Sequence, residues 1–325
     1  IAYVDAGNSS YGTAIVGTVS GTSISFGTAV VFNSATTQFT NSTFDSNSNK
    51  IVIAYRDAGN SSYGTAIVGT VSGTSISFGS EVVFNNAGST IPTLTFDSSN
   101  NKVVVCYKRA AASYGGAKVG TVSGTSISFG SEANFSNSSG IGNELQVVFD
   151  STANKVVVAY RDNGNSDYGT AAVGPVSGTS ISFGTPVVFE SASSSQNTPV
   201  FDSSNNKIVI AYNDGGNSSY GTAVVGTVSG TSLSGSANYG LAQNYSGSDG
   251  APLSTVSGVF LDSPNTTSSS SAKNQNIKSG IEITSPIIGT AYHAPEPGAK
   301  KFVEVGKKIK KGDTIMIVEA MKTMN

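Results

Sequence analysis

Short apolar runs alternate with clusters of small polar residues along the first 236 residues of the chain. In one period, a strand is predicted to end at Asp45, and the next run, Ile51–Tyr55, is apolar throughout, which predicts a central strand buried on both faces. Tyr63–Val71 predicts a third strand, and Ser72–Thr74 predicts a hairpin turn whose glycine supplies a positive φ. Ser75–Phe78 alternates polar and apolar residues, which predicts a fourth strand with one apolar face. One period therefore contains four short strands.

This period repeats along the chain, marked by the phrase GTVSGTSISFG. The phrase and its variants start at Gly17, Gly69, Gly120, Gly174 (with Pro175 in place of Thr) and, in degraded form, Gly226. The first four copies are 52, 51 and 54 residues apart. Four antiparallel strands per period of this length predict an all-β fold of β-propeller-like blade repeats, with four nearly whole blades and one partial blade. An arc cut from a larger ring is compatible with this pattern, and a β-solenoid is the runner-up.

The polar loops of the repeat leave two interpretations open. In the first, the loops are solvated turns of a scaffold. In the second, they gather at one end of the ring and bind sugar hydroxyls, a protein or a hard cation such as calcium. The loops in question are Asp5–Ser10, Asp57–Ser62, Asp162–Asp167 and Asp214–Ser219. A second set of recurrent aspartates stands beside turns, where an Asx-turn or a strand-end cap explains them: Asp45, Asp97, Asp150 and Asp202.

Composition excludes several function classes. The repeat region contains no His, so no Ser-His-Asp or Cys-His set is available for hydrolysis, and we predict no catalytic residue and no metal site. The single cysteine, Cys106, lies in an apolar run and is expected to be buried and inert. No apolar run approaches the roughly 18 residues of a membrane span. Half of the 18 basic residues lie after Ala272, but no aromatic or Arg cluster accompanies them, so nucleic acid is not a predicted partner.

Composition also divides the chain into three segments. Residues 1–236 form the repeat domain. Residues 237–280 include the Ser/Thr run that follows Pro264 and cannot bury a core, which predicts a flexible linker. Residues 281–325 have fewer Ser and more Lys, Val and Ile, which predicts a second, small β-domain.

The last segment contains a candidate site at a predicted hairpin tip. Ser285–Thr290 predicts a short strand, Lys311–Asp313 a turn, and Thr314–Val318 a buried strand. Lys322 follows this last strand and stands between two methionines. A projecting lysine is nucleophilic once deprotonated, and its long stem suits a covalent cofactor arm, although these residues alone favour an ordinary solvated lysine.

The sequence EAMKTMN, Glu319–Asn325, resembles the biotin-attachment motif of biotinyl domains. The preceding residues, SPIIGTAYHAPEPGAKKFVEVGKKIKKGDTIMIV, resemble the biotin carboxyl carrier family of bacterial-type acetyl-CoA carboxylase almost end to end. Tyr292–Lys300 resembles the protruding thumb of that family. The resemblance implies that Lys322 carries covalent biotin and that Ala320 and Met321 are recognised by a biotin–protein ligase. It covers the first half of the family's barrel, so a truncated half-barrel is expected.

The resemblance also implies a role. In this family, biotin carboxylase loads the biotin, and a carboxyltransferase passes the carboxyl group to acetyl-CoA for fatty acid synthesis, so the carrier itself is not catalytic. We therefore expect a cytoplasmic carrier component. The alternative is a binding or structural protein, with the repeat domain recognising a ligand at a cell or virion surface and a non-functional biotinyl tail.

Overall fold

The computed structural model describes residues 1–110, 114–136 and 140–234, together with 290–292, 294, 302–303, 308, 310, 313–314 and 317–319 of the tail. Contacts divide the chain into two units, Ile1–Val259 and Phe260–Asn325. The boundaries expected from composition, at 236/237 and 280/281, fall among residues outside this described set and stay predictions.

The described part of the first unit is built from β-strands and one 3-10 turn, Asn163–Asn165, and it contains no α-helix. The all-β class expected from the sequence is confirmed. The strands are β1 (Ala2–Asp5), β2 (Tyr11–Ala14), β3 (Gly17–Ser20), β4 (Ser23–Phe26), β5 (Val30–Asp45), β6 (Lys50–Asp57), β7 (Tyr63–Ser72), β8 (Ser75–Phe78), β9 (Val82–Asp97), β10 (Lys102–Arg109), β11 (Gly115–Ser123), β12 (Ser126–Phe129), β13 (Ala133–Asn134), β14 (Ile141–Asp150), β15 (Lys155–Asp162), β16 (Tyr168–Gly174), β17 (Val176–Ser177), β18 (Ser180–Ile181), β19 (Val187–Asp202), β20 (Lys207–Asp214), β21 (Tyr220–Ser229) and β22 (Ser232–Ser234).

One period forms a four-stranded antiparallel module. The second half of β5 pairs with β6, β6 with β7, and the first part of β7 with the first half of β9. The end of β7 turns back into β8 through a tight hairpin in which Ser72 faces Ser75 and Gly73 adopts a φ of +58°. This is the hairpin predicted from the sequence.

The 16-residue strands β5, β9 and β19 each join two modules, which the sequence did not predict. The first half of β9 completes one module through β7, and its second half opens the next through β10. Near the middle of β9 the pairing register with β10 shifts, and Ile91 adopts a φ of +51°. A bulge of this kind bends a strand and increases its twist, so one continuous strand serves two sheets.

The hydrophobic cores lie between consecutive modules. Val52 and Ala54 of β6 face the core shared with the following module, whereas Ile53 and Tyr55 face the core shared with the preceding one. All four side chains are fully buried or nearly so. Because neighbouring residues of a strand point to opposite faces, a wholly apolar run is what a sheet covered on both sides requires. The double burial predicted for this run is confirmed.

A phenylalanine of one module packs on a tyrosine of the next at each described interface. The ring centroids are 5.2 Å apart for Phe32–Tyr55 and 5.1 Å for Phe84–Tyr107. They are 5.4 Å apart for both Phe135–Tyr160 and Phe189–Tyr212. The tilted or edge-on ring geometry is the favoured arrangement for aromatic pairs. The recurrent tyrosines therefore mark equivalent packing positions, as their spacing indicates.

The repeated phrase is itself a packing element between modules. A Cβ added at its closing glycine, Gly79, would lie 1.9 Å from the carbonyl oxygen of Thr125, which follows the hairpin glycine of the next module. The same relation joins Gly27 to Thr74 and Gly130 to Thr179. The Thr and the closing Gly of the phrase are thus contact partners across every such interface, which explains why both recur.

All strand pairs among the described residues are antiparallel, which argues against the β-solenoid, whose coils stack in parallel. The described pairing gives a series of stacked antiparallel sheets and does not show a closed barrel. Closure of these modules into a propeller ring stays a prediction.

Candidate functional site

The described part of the tail contains one strand pair. β23 (Thr290–Tyr292) runs antiparallel to β24 (Ile317–Glu319), with Thr290 opposite Glu319. The strand predicted over Thr314–Val318 thus has its counterpart in β24. This pairing places Tyr292, the first residue of the predicted thumb, opposite Ile317, the first residue of the strand that leads to the candidate attachment site.

A turn precedes β24 where the sequence predicts one. The backbone N–H of Asp313 donates to the carbonyl oxygen of Lys310 at 3.1 Å, and the N–H of Lys310 donates to the Asp313 carboxylate at 2.8 Å. The reciprocal bonds close the turn with the aspartate side chain, as Asp does in many turns. The turn expected at Lys311–Asp313 is consistent with this geometry.

The residues that carry the sequence hypothesis lie outside the described residues. Lys322, Ala320 and Met321 follow directly after Glu319, the last residue of β24, and their roles stay predictions. His293 and most of the predicted thumb also lie outside this set. The structure therefore describes the strand β24, which ends at the first residue of the attachment motif, and the rest of the motif is known from the sequence alone.

In the repeat region, the recurrent aspartates support turns. One carboxylate oxygen of Asp57 accepts a hydrogen bond at 3.0 Å from the backbone N–H two residues later, and Asp5, Asp162 and Asp214 do the same at 3.1, 3.1 and 2.9 Å. The aspartates beside the other turns, Asp45, Asp97, Asp150 and Asp202, also accept a hydrogen bond from the backbone N–H three residues later. In Asp150, for example, the same oxygen accepts from Thr152 and from Ala153. These are the Asx-turns and strand-end caps expected for this set. In the described residues, no three His, Cys, Asp or Glu side chains cluster to hold a metal ion.

Hydrogen bonds at Asp202 also affect its acidity. Its pKa lies below the usual value for aspartate because the side chain and backbone of Asn205 and the backbone of Ser204 donate to the carboxylate. The stabilisation from these bonds is therefore present above the ordinary aspartate pKa and is lost as the pH falls through the lowered one.

The buried tyrosines form a series of tyrosine–glutamate pairs that the sequence reasoning did not identify. The hydroxyl of Tyr55 donates to Glu81 at 2.6 Å, Tyr107 donates to Glu132, and Tyr212 donates to Glu190 at 2.8 Å. Burial, followed by the bond to the carboxylate, raises the pKa of each tyrosine, so these hydroxyls stay protonated and act as donors.

Module three departs from the aspartate pattern. Arg109 stands where the other modules have Asp57 or Asp162, and its guanidinium forms an ion pair of 2.8 Å with Glu132. The same carboxylate accepts the hydroxyl of Tyr107. The glutamate that accepts the hydroxyl of the buried tyrosine therefore has an arginine as a second partner in this module.

Tyr160 is the member of this series whose hydroxyl has no hydrogen-bond partner among the described residues, although its side chain is fully buried. Burial raises the pKa of Tyr160 as it does for the others. The position that Glu81 and Glu132 occupy two residues after the closing glycine of the phrase is taken by Pro186. The sequence shows this difference, since the closing glycine is followed by Ser-Glu in the second and third modules and by Thr-Pro in the fourth. The sequence does not show that the glutamate at this position bonds to the buried tyrosine.

This difference yields a matched stability prediction. Tyr55→Phe removes a bonded hydroxyl and is expected to lower the free energy of unfolding by about 1–2 kcal/mol. Tyr160→Phe removes a hydroxyl that has no protein partner and is expected to be neutral or slightly stabilising. Urea unfolding of both variants measures the difference, and an equal loss in the two would contradict the assigned hydrogen bonding.

Cys106 is fully buried in the core between the third and fourth modules, which confirms the expected burial. Burial raises the pKa of its thiol far above the usual range, so the thiolate that would act as a nucleophile does not form at neutral pH.

Within the described residues, no helix has the length and hydrophobicity required to cross a membrane.

Comparison with known proteins concerns the tail. Residues 281–325 match the family described as Biotin-requiring enzyme. This match confirms the resemblance inferred from the attachment motif and its upstream sequence. It also confirms biotin as the cofactor expected for this segment, while the attachment at Lys322 stays a prediction.

Individual relatives are similar to the C-terminal region and carry one shared name, biotin carboxyl carrier protein of acetyl-CoA carboxylase. The protein from Haemophilus influenzae is 57% identical over 47 residues, which cover 14% of this chain and 30% of that protein. The protein from Pyropia yezoensis is 40% identical over 75 residues, or 23% of this chain and 48% of that protein. The one from Pseudomonas aeruginosa is 54% identical over 46 residues, or 14% and 30%. The chain thus spans less than half the length of these curated relatives.

Proposed function

We propose that the C-terminal segment is a biotin carboxyl carrier that holds biotin on Lys322 for acetyl-CoA carboxylase. The observation that carries the proposal is the match of residues 281–325 to biotin-requiring enzymes, combined with the attachment sequence Glu319–Asn325. The ε-amine of Lys322 forms an amide with the biotin carboxyl group and thereby loses its positive charge. Ala320 and Met321 are the neighbours that a biotin–protein ligase reads.

The carrier supplies position, and the cofactor supplies the chemistry. In this proposal, biotin carboxylase and a carboxyltransferase are the partners between which the biotinyl arm moves, in the cytoplasm, during fatty acid synthesis. The strand pair β23–β24 supports the proposal because β24 ends at Glu319, the first residue of the motif, and is held in antiparallel pairing with β23. Sites built on strands are held more precisely than sites on loops, which suits the presentation of a lysine that carries a cofactor.

The comparisons with known proteins give no support for a recognition role of the repeat region. Its loop aspartates are engaged in turn hydrogen bonds. We therefore keep the carrier role as the proposed function and assign none to the loops themselves.

The direct test is loading with biotin. The full chain is incubated with a bacterial biotin–protein ligase, ATP and biotin, and its intact mass and tryptic peptides are measured. One biotinyl group is expected, located on the peptide that contains Lys322. Because the chain spans under half of its relatives, the same measurement is made on the chain joined to the part of a relative that follows the matched region. Absence of biotin from Lys322 in both samples would overturn the proposal.

A further inference from the structure

The first module of the repeat region has an apolar face that is largely exposed. This module consists of β1, β2, the hairpin β3–β4 and the first half of β5. Ile24 and Phe26 of its hairpin are each 50% exposed, and Ile1 beside β1 is 69% exposed. We call these three residues the first-module face. Large apolar side chains exposed together are typical of an interaction site.

The equivalent residues of the second module are covered by the module that precedes it. Ile76 is 8% exposed, whereas its counterpart Ile24 is 50% exposed. Phe78, the counterpart of Phe26, packs on Phe32 of the preceding module with ring centroids 5.7 Å apart. The next two interfaces repeat this ring contact at 5.7 and 5.9 Å. The first-module face therefore has the residues of an interface whose other side is a module of the same repeat.

The fifth module has an exposed face of the opposite kind. This module consists of the second half of β19 with β20, β21 and β22. Val225 is 43% exposed, whereas its counterparts in the three preceding modules are at most 1% exposed: Val68, Val119 and Val173. Ala211 is also exposed, although its counterparts are buried. We call Val225 and Ala211 the fifth-module face, and in the earlier modules this face packs on the module that follows.

The two exposed faces differ in the size of their side chains. The first-module face carries Ile and Phe, and the fifth-module face carries Val and Ala. Each of the four cores between modules joins one face of each kind. In one of them, Ala54 of the second module lies in the same cluster as Tyr107 and Ile127 of the third. Because close packing needs large side chains opposite small ones, each exposed face fits the other better than it fits itself.

The two faces do not cover each other within one chain. Ile24 and Phe26 are exposed in the same structure in which Val225 is exposed. The chain therefore carries both sides of an interface that it forms four times internally, and one further side of each kind is left open. A second copy of the chain supplies the missing side for each face. A contact between two different surfaces of identical chains is a heterologous, head-to-tail contact.

We propose that copies of this chain associate head to tail, with the fifth-module face of one copy packed on the first-module face of the next. The contact has the arrangement of the interfaces between modules inside the chain. After two copies pair, one face of each kind is still open, so association continues until a ring closes or a filament grows. The proposal uses no residue of the tail and is independent of the biotin carrier proposal.

The experiment is sedimentation velocity of the full chain at concentrations from about 1 to 100 μM, the range in which a transient protein interface forms. The mean mass is expected to rise with concentration from the mass of one chain to more than twice that value. A single-chain mass at every concentration would overturn the proposal. That outcome would mean that the two faces are covered from within the chain or by a different protein.

Two variants each block one face. Phe26→Glu places a carboxylate on the first-module face, and Val225→Glu places one on the fifth-module face, where the cost of removing a charge from water opposes burial. Each variant alone is expected to keep the mass of one chain, because every contact needs one intact face of each kind. Mixed in equal amounts, the two variants are expected to form a heterodimer of twice that mass and nothing larger.

Val83→Glu is the matched control. Val83 is 41% exposed, lies on β9 and belongs to neither face, so this variant should assemble like the unchanged chain. Ile24→Glu repeats the test of the first-module face at a second position. Circular dichroism and urea unfolding check that each variant keeps its fold, which is expected because the replaced side chains are about half exposed.

Three further results would overturn the proposal. These are continued assembly of Phe26→Glu or Val225→Glu alone, loss of assembly in Val83→Glu, or a mixture of the two blocked variants that forms no heterodimer. General stickiness of apolar surfaces does not produce a heterodimer that stops at two chains. Failure of biotin loading at Lys322 would leave these results unaffected.

Discussion

Replacing Lys322 by Arg is expected to abolish incorporation of biotin into the chain. Arginine keeps the positive charge and a similar length, but its guanidinium stays protonated at every pH a ligase tolerates and is not a nucleophile. The substitution therefore prevents the amide bond between residue 322 and biotin while it keeps the charge and approximate length of the side chain. Streptavidin blotting and intact-mass measurement after incubation with ligase, ATP and biotin report the loss directly.

The matched control is Lys310→Arg. Lys310 is an exposed lysine of the same segment, and its described hydrogen bonds to Asp313 are made by its backbone. The ligase should load this variant as fully as the unchanged chain. Biotin retained by Lys322→Arg, or lost from Lys310→Arg alone, would show that the attachment site has been assigned to the wrong lysine.

The second large effect is expected from Gly79→Ala in the repeat region. The added Cβ would lie 1.9 Å from the carbonyl oxygen of Thr125 and 2.9 Å from its carbonyl carbon. Both are backbone atoms of the next module, so no side-chain rotation relieves the overlap, and the two modules must move apart. Overpacking of this kind costs typically 1–3 kcal/mol and more when the backbone must shift, so we expect a loss of about 3 kcal/mol or more. Urea unfolding followed by circular dichroism measures it.

Gly73→Ala is the control for Gly79→Ala. Gly73 occupies the hairpin of the same phrase at a φ of +58°, and a Cβ there would meet no atom within 4 Å. Its cost is confined to a left-handed backbone, about 1–2 kcal/mol. If the two variants lose the same stability, contact between modules is not the reason for a glycine at position 79.

These two predictions separate the two parts of the chain. Gly79→Ala acts on the contact between stacked sheets and is expected to leave biotin loading at Lys322 unchanged, since the described tail strands belong to a different unit. Lys322→Arg acts on the attachment motif and is expected to leave the stability of the repeat region unchanged. Loading and unfolding measured on both variants therefore test whether the two parts behave independently.

The tail shows how a family resemblance can be predicted from a short sequence. The motif Glu319–Asn325 and its upstream residues were sufficient to indicate a biotinyl segment, because the resemblance lies in one contiguous stretch, which is also the stretch that matches biotin-requiring enzymes. The turn at Lys310–Asp313 was also predictable, because Gly and Asp have strong local turn preferences. The pairing of Thr290 with Glu319 was not, because it joins residues far apart in sequence.

The repeat region divides in the same way. The sequence alone determined the short strands, the hairpins at Gly73 and its counterparts, the burial of Ile51–Tyr55 on both faces, and the capping role of Asp45, since each follows from side-chain alternation or from local backbone preferences. Only the tertiary structure decided that β9 serves two sheets, that Gly79 packs on Thr125, and that Tyr160 lacks the acceptor its counterparts have. These features depend on contacts between residues that are not neighbours in the chain, such as Tyr55 with Glu81 and Gly79 with Thr125. Such contacts leave no local pattern in the chain.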